Sequence, residues 1–390
     1  MRKVYMDYGA ATPVDPKVLE FMMPYFGEKF GNPSSVYSLG FEAKAAIEEA
    51  RESIAELVNS KQDDVIFTSC GTESNNLAII GTAHQFKEKG NHIITSAFEH
   101  DSVLRTLKSL EKEGFETTQV PVDNDGIVQV EELRKSIRDE TILITIMYAN
   151  NEVGTIQPIR EIGEIAKEKG ITFHSDAIAA AGKIPIDMKK DNLDMVSVAS
   201  QELYGPKGAS ALCVTKKRFK PLFHGGRQEG GKRPGTENVP AIMGFGKAAE
   251  IALEMMESEA TRVSALRDKL IGDLTSSVKE SYLNGHPTKR LPTSANIRFN
   301  YIEGESIVLN LDSMGIQVAT GSACVSDSLQ PSHVLLAMGV KAEEAHGSLQ
   351  FNLGRGTQEG DIDYVLEVLP EIVTNLRKMS PMTPEGFFDE

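Results

Sequence analysis

Short apolar runs alternate with amphipathic stretches over the first half of the chain. VIFTS (65–69), HIITS (92–96), ETTQVPV (116–122), TILITIMYA (141–149), ITFHSDA (171–177), DMVSVAS (194–200) and GASALCVT (208–215) have the length and apolar, β-branched content of buried strands. Between several of them, LAIIGTAHQFKEKG and VLRTLKSLEKEG carry apolar residues at helical spacing. Strand and helix in alternation predict a mainly parallel α/β sheet with helices on both faces. The pattern then changes. A long helical region runs from about Val239 to Val278, followed by a strand in SANIRFN, a helix in ESIVLNLDSMG, the glycine-rich ATGSAC, a strand in SLQFNLG and a last helix from about Gly360 to Met379. This predicts a second, smaller α/β domain. The expected division is 16–260 for the large domain and 1–15 together with 261–390 for the small one, with SPMTPEGFFDE as a loose tail.

Composition narrows the function classes. The chain has 390 residues, 40% hydrophobic and 25% charged, which suits a globular protein with a sizeable core. A formal net charge of −15 argues against sequence-independent nucleic-acid binding, which depends on neutralising phosphates with Lys and Arg. No apolar run approaches the roughly 20 residues that span a bilayer. Met1-Arg2-Lys3 leads towards MDYGAATP rather than a signal-peptide apolar segment, so a cytoplasmic protein with no membrane partner is expected. The three cysteines, Cys70, Cys213 and Cys324, show no CxxC spacing, so neither a disulfide framework nor a self-contained zinc site is indicated. Cys70 and Cys213 adjoin apolar strands and read as core thiols.

Candidate chemistry clusters at predicted strand ends. FTSCGTESNN (67–76) places a small-residue turn between a strand and a helix start. The backbone N–H groups of Gly71 and Thr72 and the Thr72 hydroxyl suit a phosphate there, and the same residues suit a helix cap. His100 follows HIITS, at the carboxyl end of a strand where open α/β sheets bind ligands; a purely structural histidine is the alternative. Asp176, in HSDA, stands at another strand end, either as partner of a protonated ring nitrogen or as a loop cap. Asn151, in YANNEVGTIQP, has turn chemistry as its alternative.

In this order, the segments YMDYGAATPVDP, FGNPSS, FTSCGTESNN, EHDSV, NNEVGTIQP, HSDA, AAGKIPID, YGPKG, RPGTENVP, ATGSAC and LGR make the chain resemble, from end to end, the cysteine desulfurases of the NifS/IscS type. These are pyridoxal-phosphate enzymes of the class V aminotransferase group. The resemblance implies the pyridoxal-phosphate-dependent transferase fold type I, with a mainly parallel large domain and a smaller C-terminal α/β domain. It implies a transferase that converts L-cysteine to L-alanine and an enzyme persulfide. By the same resemblance Gly71 and Thr72 hold the cofactor phosphate, His100 stacks on the ring and handles protons, Asn151 contacts the ring hydroxyl, and Asp176 holds the pyridinium. Thr236, in RPGTEN, would reach the phosphate of a second subunit, which implies a homodimer. Cys324 matches the loop cysteine that receives sulfur, and an iron–sulfur scaffold protein is the implied partner.

Five positions depart from the family pattern. Glu202 holds the place of the Schiff-base lysine and Gln201 that of the preceding histidine. Ala199 replaces a phosphate-binding serine, Ala179 a glutamine that contacts the ring hydroxyl, and Gln350 the arginine that clamps the substrate carboxylate; Arg355 belongs to the following LGR. A lysine amine forms an imine with a cofactor aldehyde; a carboxylate cannot. An ionised Glu202 about 5 Å from the ring oxygen would be repelled by about 3 kcal/mol at an effective dielectric of about 20. Burial would instead leave it neutral. Lys207, in YGPKG, is the nearest lysine, but the family carries one there as well, which assigns it a structural role. Pyridoxal phosphate is therefore expected to be non-covalent or absent, and desulfurase activity slight or nil, since proton transfer and substrate positioning both lose a residue. Cys324 is left as the working residue, serving a scaffold as ligand of a shared [2Fe–2S] cluster or as persulfide carrier. The alternatives are an active desulfurase using non-covalent cofactor and a regulatory partner of an active paralogue.

Overall fold

The structure is a computed structural model that describes residues 2–216, 218–321 and 331–389. Its main sheet has seven strands in the spatial order Val65–Thr68, Ser210–Val214, Met195–Ala199, Thr172–Asp176, Thr141–Thr145, His92–Ser96 and Glu116–Val120. Only Ser210–Val214 runs against its neighbours; the remaining pairings are parallel. Four of the inner strands are buried at every residue, which explains why they read as unbroken apolar runs rather than as alternating ones. The edge strand Glu116–Val120 is largely polar and half-exposed, chemistry that discourages pairing with another chain.

Helices close both faces. On one side Ile79 and Ala83 of the helix Gly71–Phe86 and Val103 and Leu107 of the helix Asp101–Glu111 pack on Ile93 and Leu143. On the other, Ile54 of the helix Ser38–Leu57 and Phe245 of the helix Val239–Ser277 share a core with Ile144, Phe173, Val196 and Val198. The 39-residue helix Val239–Ser277 continues past the sheet into a second core. There Val263, Leu270 and Leu274 meet Ala295, Ile297, Phe299, Leu349 and Phe351, with Val4, Met6 and the terminal helix Glu359–Met379. The second sheet is antiparallel, in the order Ala319–Thr320, Ser348–Asn352, Ser294–Phe299, Ser281–Asn284. Among the described residues no helix is long and apolar enough to cross a membrane.

Three details differ from the pattern reading. The run 141–149 is a strand only over Thr141–Thr145. Beyond it the N–H groups of Ile146 and Tyr148 still donate to the carbonyls of His174 and Asp176, while pairing to the His92–Ser96 side stops at Ile144. The strand Ser281–Asn284 was not anticipated, being four residues at a sheet edge with little apolar signal. After Ala199 the chain enters a tight helical turn, Ser200–Leu203, that ends with Tyr204 at φ 63°, a left-handed conformation uncommon for a non-glycine residue.

Ile297 is fully buried in the second sheet, between two paired strands. Ile297→Ala is expected to lower unfolding free energy by about 2–5 kcal/mol. Gln119→Ala, on the exposed face of the edge strand, should change it by less than about 0.5 kcal/mol. Urea unfolding of the two variants beside the wild type checks both.

Candidate active site

The parallel strands stop together at one edge of the sheet, and the loops that follow them enclose a cavity of about 350 Å³. Nine of the positions singled out in the sequence line it: Gly71, Thr72, His100, Asn151, Asp176, Ala179, Ala199, Gln201 and Glu202. Three do not join them. Thr236 is exposed in the loop before the helix Val239–Ser277 and is absent from the lining. Gln350 turns its amide to the carbonyl of Thr320, at 3.4 Å, and Asn352, two residues further along that strand, lines the cavity instead. Cys324 lies outside the described residues.

Asp176 closes the strand Thr172–Asp176 and is buried. Its Oδ2 accepts from Asn75 Nδ2 at 2.7 Å and its Oδ1 from the N–H of Ile178 at 3.0 Å. Asn75 Nδ2 also donates to Ser102 Oγ at 2.8 Å, and Ser102 Oγ lies 2.8 Å from His100 Nδ1. The four side chains form one hydrogen-bonded run from the cavity floor to its rim. Burial pushes the Asp176 carboxyl up, opposed by its bond from Ile178, the charge of His100 and the bond from Asn75. His100 Nδ1 accepts from the Ser102 N–H at 3.1 Å and so caps the helix Asp101–Glu111. The structural reading of this histidine is what these contacts show: Nδ1 holds the helix start, while the residue borders the cavity.

The helix Gly71–Phe86 points its N-terminus at the cavity. Its cap residue, Cys70, makes no side-chain cap bond, and the first N–H groups of a helix have no partner within it. Glu73, in the same turn, is drawn aside: its Oε1 accepts from Arg233 Nε at 2.8 Å and its Oε2 from the Ser69 N–H at 2.7 Å. Burial opposes ionisation of Glu73, but the bonds from Arg233 and Ser69 hold its carboxyl below the ordinary range. This leaves the first turn open to an anion. Cys70 itself is exposed and lines the cavity, which corrects its reading as a core thiol: the turn that ends the strand Val65–Thr68 carries it out of the apolar layer. Cys213 is a core thiol, and burial pushes it up to about 12.

Two residues escaped the sequence reading. Lys183 lines the cavity, and its Nζ donates to Glu202 Oε2 at 2.7 Å, with both side chains largely buried. Glu202 is thus not a bare carboxylate facing a ligand. Gly182 shapes the turn that carries Lys183: it sits at φ 68°, a left-handed conformation that glycine adopts without strain and other residues rarely adopt. Lys207, the lysine weighed from the sequence, is exposed and outside the lining. The second is Glu99, fully buried beside the cavity. Its Oε1 accepts from Ser96 Oγ at 2.7 Å and from the Met147 N–H at 3.0 Å, while Oε2 has no hydrogen-bond partner among the described residues. Burial, with a smaller contribution from the charge of Asp176, pushes its carboxyl up to about 8.

The class-V aminotransferase profile matches residues 4–365. The chain belongs to that family. A protein of Methanosarcina thermophila named cysteine desulfurase IscS is 53% identical over 387 residues, 99% of this chain and 96% of that one. One of Archaeoglobus fulgidus, named cysteine desulfurase IscS 1, is 53% identical over 379 residues, 97% of this chain and 99% of that one. Among solved structures, a NifS-like protein superposes with a TM-score of 0.90 at 38% identity, covering 96% of this chain and 100% of the other. A NifS-like protein from Rickettsia africae gives 0.86 at 31%, with the same coverage. The architecture described above is accordingly the fold type I arrangement of the class-V aminotransferases.

Glu99 generates a pH prediction. Its folded pKa lies above its unfolded one, so between about pH 4.5 and about pH 8 the folded state holds a proton that the unfolded state has lost, and stability falls as pH rises through that window. Glu99→Gln removes this fall. The variant is expected to gain on the order of 3 kcal/mol relative to wild type on going from pH 4.5 to pH 8. Urea denaturation at the two pH values measures it; an equal difference at both would contradict the assignment.

Proposed function

We propose that this protein serves iron–sulfur cluster assembly as a cysteine desulfurase homologue with little or no desulfurase turnover, and that Cys324 serves a partner scaffold as cluster ligand or persulfide carrier. The observation that carries the reading is Glu202, a carboxylate held by Lys183 at the point where the family's chemistry requires a free lysine amine. Cysteine desulfurase relatives that match nearly the whole chain supply the reaction class.

The cavity fits pyridoxal phosphate at both ends. Asp176 offers a buried carboxylate for the pyridinium, and the uncapped first turn of the helix Gly71–Phe86 offers N–H groups for the phosphate. Buried Asn75 Oδ1, beside Asp176, has no hydrogen-bond partner among the described residues and adds an acceptor there. His100 and Asn151 border the same space. When bound, the cofactor supplies an electron sink for charge developing on an amino-acid substrate. The protein then has to move protons and hold the substrate carboxylate. Position 202 provides no free amine for the first task, and Gln350, bonded to Thr320, provides no guanidinium for the second. Thr236, exposed on its loop, is available to complete the phosphate site of a second copy, in keeping with a homodimer.

The intact run from Asp176 through Asn75 and Ser102 to His100 favours a second reading, an active desulfurase with non-covalent pyridoxal phosphate. Cluster reconstitution on an iron–sulfur scaffold, with wild type or Cys324→Ser, tests the preferred one. Cys324→Ser is expected to lower cluster yield or lifetime several-fold; equal yield and stability with both proteins would end the proposal.

A further inference from the structure

We propose that Lys183 is the amine through which this cavity binds pyridoxal phosphate covalently. The inference rests on the reading of the cavity as a pyridoxal-phosphate pocket given above, and not on the role of Cys324.

Among the described residues that line the cavity, Lys183 is the one that carries a primary amine. Its placement follows from side-chain lengths. A glutamate places its carboxylate oxygens four bonds from Cα, and a lysine places its nitrogen five bonds from Cα. A lysine at position 202 would therefore set its nitrogen about one bond, ~1.5 Å, beyond the region that Glu202 oxygens occupy. Lys183 Nζ stands 2.7 Å from Glu202 Oε2, within the same small volume. The amine absent from one wall is supplied by the other. Lys183 belongs to the segment that begins with Asp176, so the acid suited to the ring nitrogen and the amine suited to the aldehyde are carried on one short turn. Ala179 and Ala199, both small, border the same space as Lys183, whose four-carbon stem is flexible.

Glu202 then has a use. At 2.7 Å from the Lys183 nitrogen, its carboxylate is placed to take a proton as that nitrogen reacts and to return it afterwards. Lys183 gives one proton to Glu202 and its nitrogen attacks the aldehyde carbon, forming the C–N bond as a second proton passes from nitrogen to the former carbonyl oxygen. Glu202 returns its proton to that hydroxyl, which leaves as water while the C=N bond forms. The sum is ammonium plus aldehyde giving protonated imine plus water; nothing is oxidised or reduced, and Glu202 ends as it began. Attachment at Lys183 leaves position 202 without an amine, so it is compatible with weak turnover.

The test uses the full chain as wild type, Lys183→Arg and Glu202→Gln. Each is incubated with equimolar pyridoxal phosphate, reduced with sodium borohydride, digested and mapped by mass spectrometry; cofactor retained after dialysis is measured separately without reduction. Wild type is expected to carry the phosphopyridoxyl group on Lys183. In Lys183→Arg total labelling should fall at least about tenfold, and in Glu202→Gln the label should stay on Lys183 but form about a hundredfold more slowly. Retained cofactor with Lys183 unlabelled, or undiminished labelling of other lysines in Lys183→Arg, would overturn the inference and leave the pocket reading standing. Failure of the wild type to retain the cofactor would overturn both. Labelling of Glu202→Gln at the wild-type rate would overturn the assignment of Glu202 as the base.

Discussion

The parallel register of the strands Met195–Ala199, Thr172–Asp176, Thr141–Thr145 and His92–Ser96 is the constraint from which the site follows. Because the strands run in one direction and are buried at almost every residue, their polar chain ends are delivered to a single edge. His100, Met147, Asp176 and the turn that bears Glu202 come from the ends of four different strands, yet Asp176 and His100 are joined through Asn75 and Ser102, and Met147 is bonded to Glu99, the residue before His100. Reversing a strand, or slipping it by one residue, would carry these groups to the other end or the other face.

Acid dominates that edge, and the fold disposes of each carboxyl differently. Asp176 accepts from donors on both oxygens, Glu99 holds its proton because burial pushes its carboxyl up to about 8, and Glu202 is met by a lysine. The Lys183–Glu202 contact changes what the glutamate at 202 presents to the cavity. A carboxylate alone there would repel an anionic ligand; a paired one adds little net charge and keeps an amine in the pocket.

Most of the fold was legible because the inner strands are doubly buried and the helices amphipathic, two signals that composition and spacing carry directly. Local pattern was weaker where tertiary pairing decides, as with the four-residue strand Ser281–Asn284 and the run 141–149, which keeps bonds to only one neighbouring strand beyond Thr145. The cavity lining was legible through strand-end motifs. Lys183 was not, since its partner lies 19 residues away and the turn that carries it is shaped by the left-handed Gly182. Cys70 was misread because adjacency to an apolar strand does not say on which side of the following turn a side chain emerges. Glu99 sat inside the EHDSV segment, but nothing local announces that a glutamate will be fully buried.

Class-V aminotransferase architecture, a hydrogen-bonded acid–amide–hydroxyl–imidazole run and a lysine-paired Glu202 are the features on which the proposed low turnover rests. The most direct measurement is the rate of alanine formation from L-cysteine by the wild-type protein with saturating pyridoxal phosphate, set beside a relative that has lysine at the equivalent of position 202. A rate lower by at least about a hundredfold is predicted, the scale of a lost proton-transferring group. A comparable rate would contradict the account.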